Sequence, residues 1–286
     1  MRVIPTLLLL VGSVACAADA LALNEYGIEG MGRVSTRADE AGASVSADGR
    51  WIVFASNRGG GAGGWDLWQA RLEDKRWSEP QPLPLNSAAD ERAPFFSADG
   101  RWLYFASSRA GGQGGLDMYR VAVNGGRFGR PEPLTAANST ADDSSPGVDT
   151  HGQLLFASNR GGSWGLWRSD AATGARPQPL PGPLDRAGNS LSVLVLGERG
   201  DLVLARDAGD GRTRLHHGYC QAGQWHDGGP LPLSFNDGNG LTQAAGVDHS
   251  APAELLLAGS ARAPRAGGLD IYRTRAPLGR GDGSCR

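Results

Sequence analysis

Apolar residues in this chain gather in short unbroken runs rather than in helical stripes. Trp51-Ile-Val-Phe-Ala55, Trp102-Leu-Tyr-Phe-Ala106 and Leu154-Leu-Phe-Ala157 each lie between polar turn signals, the pattern of a short, strongly apolar β-strand. The first two runs follow Ser46-Ala-Asp48-Gly49-Arg50 and Ser97-Ala-Asp99-Gly100-Arg101, where glycine supplies the positive φ that a tight turn demands. Each of the three runs leads into a short polar segment ending in Arg58, Arg109 or Arg160. A glycine-rich hairpin then opens a further strand, Trp65 to Leu72 or Leu116 to Val123. An aromatic residue and a proline-rich close follow, Trp77 to Leu83 and Phe128 to Leu134, and proline suits an outer edge strand, where a missing N–H costs little. A strand from Ala93 to Ser97 begins the unit. Four strands per unit are therefore predicted.

The units repeat. Phe54, Phe105 and Phe156 stand 51 residues apart, and the apolar anchor recurs at Leu204 and Leu257, after steps of 48 and 53. A period near 50 built from short strands and glycine-rich turns predicts the blades of an all-β propeller. Five blades is the count, six if two weak units have been merged. The last unit ends at Gly268-Leu-Asp270-Ile-Tyr272 with no proline-rich fourth strand after it. The stretch from Tyr26 to Ser35 can supply that strand, a 1+3 closure joining the two ends of the chain.

Composition narrows the setting. A net charge of −2 gives no reason to expect nucleic acid or an anionic membrane surface as partner, and Lys75 is the only lysine. Arg2 and the apolar run Val3 to Ala18 precede two A-x-A sites, Ala18-Asp-Ala20 and Ala20-Leu-Ala22, as in a signal peptide. Residues 1–22 are thus expected to be removed, leaving residues 23–286 as one propeller domain in the periplasm or outside the cell. The alternative is an outer-membrane lipoprotein acylated at Cys16. No other stretch is apolar and long enough to cross a bilayer as a helix. Cys220 and Cys285 then form an even pair in an oxidising compartment, which predicts a disulfide; the alternative is two free thiols.

Candidate chemistry rests on an acidic pair set just before the innermost strand of each of the first three units: Asp39-Glu40, Asp90-Glu91 and Asp142-Asp143. Residues there ring the mouth of a propeller channel, and converging carboxylates could hold Ca²⁺ or a cationic group of a partner. The alternative is that they pair with arginines of neighbouring blades or cap turns. Arg58, Arg109 and Arg160 are expected to bond backbone or the carboxylates of Asp66 and Asp117. His216, His217, Cys220 and His226 cluster in sequence like a metal site, but adjacent histidines on a strand point to opposite faces. Asp237-Gly-Asn239 reads as a turn. No nucleophile elbow is present.

The run Ser-x-Asp-Gly-Arg, the apolar stretch, Ser-Asn-Arg, and then Gly-Gly-x-Asp66 or Gly-Gly-Leu-Asp117 with a following aromatic, resemble the TolB-like propeller repeat. The likeness is strongest over residues 40–135 and returns around Asp270. It implies a binding or scaffolding module of the cell envelope with an envelope protein as partner, no catalytic residue and no cofactor. The alternative is a carbohydrate-active propeller, either glycosidase-like through the channel-mouth carboxylates or lectin-like through Trp68, Tyr119, Trp167 and Tyr272.

Overall fold

The computed structural model describes residues 29–170, 176–182, 184, 190–209, 212–236, 242–261 and 264–285. Signal-peptide residues, Cys16 and the Asp237–Asn239 turn lie outside them. The described residues form five antiparallel sheets, each a blade. From the axis outward, blade 1 holds Glu40–Val45, Trp51–Ser56 and Asp66–Glu73, with Arg76–Trp77 and Gln81–Pro82 sharing its outer edge. Blade 2 repeats this with Glu91–Phe96, Trp102–Ser107, Asp117–Asn124, Arg127–Phe128 and Glu132–Pro133. Blade 3 has Asp143–Val148, Gln153–Ser158, Gly165–Asp170 and Gln178–Pro179. Blade 4 has Ser190–Leu196, Asp201–Asp207, Thr213–Gln221 and Gln224–Pro230. Blade 5 has Thr242–Val247, Glu254–Gly259 and Asp270–Arg275, and its outer strand is the N-terminal Glu29–Gly30, paired with Arg273 and Tyr272. The expected 1+3 closure is present.

The apolar runs are the second strands. Ile52, Val53, Phe54 and Ala55 are all fully buried, because this strand meets a neighbouring blade on both faces and has no solvent side to alternate toward. The prolines Pro82, Pro133 and Pro179 sit on outer strands, as predicted. The innermost strands begin two residues earlier than the sequence reading placed them, so Glu40, Glu91 and Asp143 are their first residues. Each innermost strand carries a register shift, and Gly42, Ala93 and Ser145 have φ of 64°, 51° and 56° at that bulge.

Innermost strands pack in the cyclic order 1-2-3-4-5-1. At the end of the ring carrying the Asp-Gly turns, His249 of blade 5 donates from Nε2 to the Phe96 carbonyl of blade 2 at 2.6 Å, and Phe95 meets its ring edge-on. These blades are not neighbours, so the contact reaches past blade 1 on the inner side of the ring.

After blade 5 the chain turns back over blade 4. Cys285 is bonded to Cys220, with Cα atoms 5.8 Å apart. Asp201 accepts from the backbone N–H of Arg280, and Asp282 accepts from that of Ala222. The Ser284 hydroxyl and the N–H groups of Ala222 and Ser284 draw the Asp282 carboxyl down to about 2. The disulfide expected from cysteine pairing is therefore in place, joining the chain's end to the fourth repeat.

Candidate functional site

The six acids expected at the channel mouth lie at the joints between blades. Asp90 accepts from the Trp65 N–H of blade 1 at 3.0 Å, Asp142 from the Leu116 N–H of blade 2 at 2.9 Å, and Asp39 from the Leu269 N–H of blade 5 at 2.9 Å. The next residue in each pair completes the grip through its own N–H: Glu91 to the Trp65 carbonyl, Asp143 to the Leu116 carbonyl, Glu40 to the Leu269 carbonyl. The residue just before the third strand of blades 1, 2 and 5 is thus bracketed on both backbone groups by the connector leading to the following blade. Asn57 and Asn159 of the Ser-Asn-Arg runs brace Asp39 and Asp142 in turn.

This grip explains the paired glycines. A Cβ on Gly63, Gly114 or Gly267 would stand 2.0–2.3 Å from the carbonyl oxygen of Ala89, Ala141 or Ala38 in the connector. On Gly64, Gly115 or Gly268 it would stand 2.4–2.8 Å from the clamping carboxylate. The aspartates that follow hold the hairpin itself. Asp66 accepts from the Gly63 N–H, Asp117 from Gln113 and Gly114, and Asp270 from Ala266 and Gly267. Asp48 and Asp99 cap their own turns by accepting from Arg50 and Arg101.

The second acid of each pair is fully buried and meets the repeated arginine. Arg58 donates to Glu40 at 2.9 Å and Arg109 to Glu91 at 3.0 Å, and Arg160 is bonded to Asp143. The same nitrogens reach back to the carbonyls of Val34, Leu85 and Ala137. Of the two kinds of partner expected for these arginines, backbone carbonyls are found, whereas the Asp66 and Asp117 carboxylates are taken by hairpin N–H groups. Hydroxyls of Thr36 and Ser56 add two donors to Glu40; Ser87 and Ser107 do so for Glu91. Burial pushes the Glu40 carboxyl up and the Arg58 guanidinium down, each against the pull of its partner. Each guanidinium also lies over two aromatics of its blade, about 5 Å from the rings of Phe54 and Trp68, Phe105 and Tyr119, or Phe156 and Trp167. Trp68, Tyr119 and Tyr272 are buried and Trp167 is half-buried, so the four do not form a row of open aromatic platforms.

A second clamp carries no sequence-based expectation. Asn86, Asn138 and Asn236 each bond both the N–H and the carbonyl of one third-strand residue, Leu67, Met118 and Leu215. At the ring closure Ser35 brackets Ile271 in the same way. The signal was present as Leu85-Asn86-Ser87 and Ala137-Asn138-Ser139 after each proline-rich close.

Among the described residues, no three His, Cys, Asp or Glu side chains come together as a metal set. His216 faces Asp227 and His217 faces Asp201, on opposite sides of the blade 4 sheet as their adjacency required.

No protein-family model matches the sequence, and no curated protein matches it. Solved structures do match. TolB from Acinetobacter baumannii superposes with a TM-score of 0.51 at 15% identity, over 88% of this chain and 58% of that one. This chain therefore spans somewhat over half the length of that TolB. Putative TolB from Agrobacterium tumefaciens gives 0.53 at 10% identity, over 88% and 97%. The likeness is one of fold. The calcium-binding protein regucalcin from the same organism gives 0.52 at 14% identity, over 91% and 97%, so the TolB-like propellers share this architecture with propellers of other kinds.

Proposed function

We propose that the protein is an exported five-bladed propeller that binds and positions another protein of the cell envelope and performs no chemistry of its own. The supporting observation is where the repeat spends its reactive side chains. Asp39, Asp90 and Asp142 hold backbone N–H groups of adjacent blades, and Glu40, Glu91 and Asp143 are locked under guanidinium groups. Catalytic carboxylates need unequal environments, one poised as acid and one as base, whereas these repeat the same environment from blade to blade. A rigid ring of this kind offers its loops and seams for recognition. Export is supported by the apolar N-terminus and by the Cys220–Cys285 disulfide, which suits an oxidising compartment.

The test is photocrosslinking of the tagged full-length chain in living cells, followed by mass spectrometry of the mature protein and its adducts. We expect one envelope protein enriched by the folded chain, together with a mature N-terminus near residue 21 or 23. A diacylglyceryl mass on Cys16 would replace the soluble periplasmic placement by an anchored one. Turnover of a glycoside panel, lost on removing one of the six acids in a still-folded variant, would overturn the non-enzymatic reading.

A further inference from the structure

The seam where the ring closes differs from the seam between blades 1 and 2. Between those blades the hairpin turn Gly125-Gly126 closes onto Trp51, so tightly that a Cβ on Gly126 would stand 2.4 Å from the ring. At the closure, the equivalent turn of blade 1 is Asp74-Lys75, and the position matching Trp51 in blade 5 is Glu254. The seam there stays open as a cavity of about 560 Å³, walled by Glu29, Met31 and Arg33 on one side and by Leu72, Arg76 and Trp77 on the other.

Three features of this groove go together. Leu72 is 42% exposed, one of two large apolar side chains left open among the described residues. Cations surround it, and they are not equally committed. Arg33 pairs with Glu79 at 3.4 Å and Arg273 with the buried Asp248 at 3.0 Å, while Lys75 and Arg76 have no carboxylate partner within 4 Å among the described residues. The turn is also strained. Asp74 and Lys75 have φ of 47° and 64°, where the corresponding turn of blade 2 uses two glycines. Non-glycine residues in this region cost about 1 kcal/mol or more each, so the chain's only lysine is held at the groove against a backbone preference.

The two outermost strands flanking the groove, Glu29–Gly30 and Arg76–Trp77, each have a sheet neighbour on one side only among the described residues. Open strand edges accept an extended peptide through backbone hydrogen bonds. We propose that this closure groove docks an extended acidic segment of a partner protein, with a large apolar side chain seated against Leu72 and Trp77 and carboxylates meeting Lys75 and Arg76. The inference rests on the reading of the chain as a binding module. A concave seam with two free cations and an open backbone edge fits a peptide better than it fits the flat face of a membrane.

The experiment selects a random dodecapeptide display library on the immobilised full chain, then titrates enriched peptides by fluorescence anisotropy. We expect Asp- and Glu-rich sequences around one Leu, Phe or Trp. Affinity should fall at least 10-fold in a Lys75→Glu/Arg76→Glu variant, several-fold in Leu72→Ser, and progressively with added salt. These side chains are exposed or line the open groove, so an unchanged melting temperature confirms that the variants fold. No enrichment, or peptides bound equally by the charge-reversed variant, would overturn the proposal. So would cosedimentation with phosphatidylglycerol vesicles that the variant alone loses, or a homodimer that dissociates in the variant. A crosslinked envelope partner retained by the charge-reversed chain would remove the groove while leaving the binding-module reading intact.

Discussion

Glu91 and Arg109 form a buried pair whose worth depends on both members being present. Removing one partner strands a charge away from water, which costs about 3–5 kcal/mol, whereas replacing both by neutral groups of similar shape costs far less. Arg109→Met should therefore destabilise the fold strongly, and adding Glu91→Gln should recover part of the loss; urea unfolding of the single and double variants measures both. Blade 4 is built differently at this place. Ser190 occupies the acid's place, and Arg206, two positions earlier than the repeat's arginine, bonds the Leu184 carbonyl and pairs with Asp227 at 3.2 Å. His249 gives a pH signature of its own. Burial pushes its imidazole below the ordinary 6.5, against the Phe96 carbonyl and the Asp248 carboxylate, which both favour the cation. The unfolded chain takes up the proton first, so the contribution is complete above about pH 6.5 and is lost as pH falls through the lower folded value. Between about pH 7.5 and 5.5, wild type should lose more stability than His249→Gln; parallel curves for the two would refute this.

Among the elements, the glycine-rich hairpins are where sequence and packing agree most closely. Gly114→Ala would press a methyl onto the Ala141 carbonyl and should cost several kcal/mol or block folding. Gly59→Ala, with open space around its Cβ and no positive φ, should be near neutral, and thermal melts of the two variants separate spacing from general glycine loss. The second strands and their blade count were legible because a doubly buried strand shows as an unbroken apolar run. The innermost strands were placed two residues late because their opening acids look like loop residues until the arginine above them is seen. The Asn86, Asn138 and Asn236 clamps were not read because asparagine near proline signals a turn, and a side chain bonding both groups of a distant strand has no local pattern. The role of the acidic pairs stayed open in the sequence for the same reason, since Asp39, Asp90 and Asp142 find their partners on adjacent blades and the second acids meet an arginine 17 or 18 residues along the chain.

At the scale of the whole molecule, the ring is fastened at both chain ends. The N-terminal strand completes blade 5, and the C-terminal tail is tied to blade 4 by Cys220–Cys285 across 65 residues. A loop of that size is worth roughly 4 kcal/mol in the chain-entropy account. Cys285→Ser, or reduction of wild type, should lower the melting temperature by several degrees, and an unchanged melt under reducing conditions would contradict the stabilising role. No helix among the described residues is long and apolar enough to cross a membrane.

The two fastenings are unequal in kind. Glu29–Gly30 contributes two residues of pairing, and blades 4 and 5 begin with Ser190 and Thr242 in place of the carboxylates that lock blades 1 to 3. Opening should therefore begin at the closure, with blades 1 to 3 remaining as the more protected cooperative unit in native-state hydrogen exchange. The covalent tie does not cross that opening line, because both cysteines lie on the same side of it. A transiently opened ring would keep its last two blades looped together, and reclosure would require only the return of a short strand rather than the search of a free chain end.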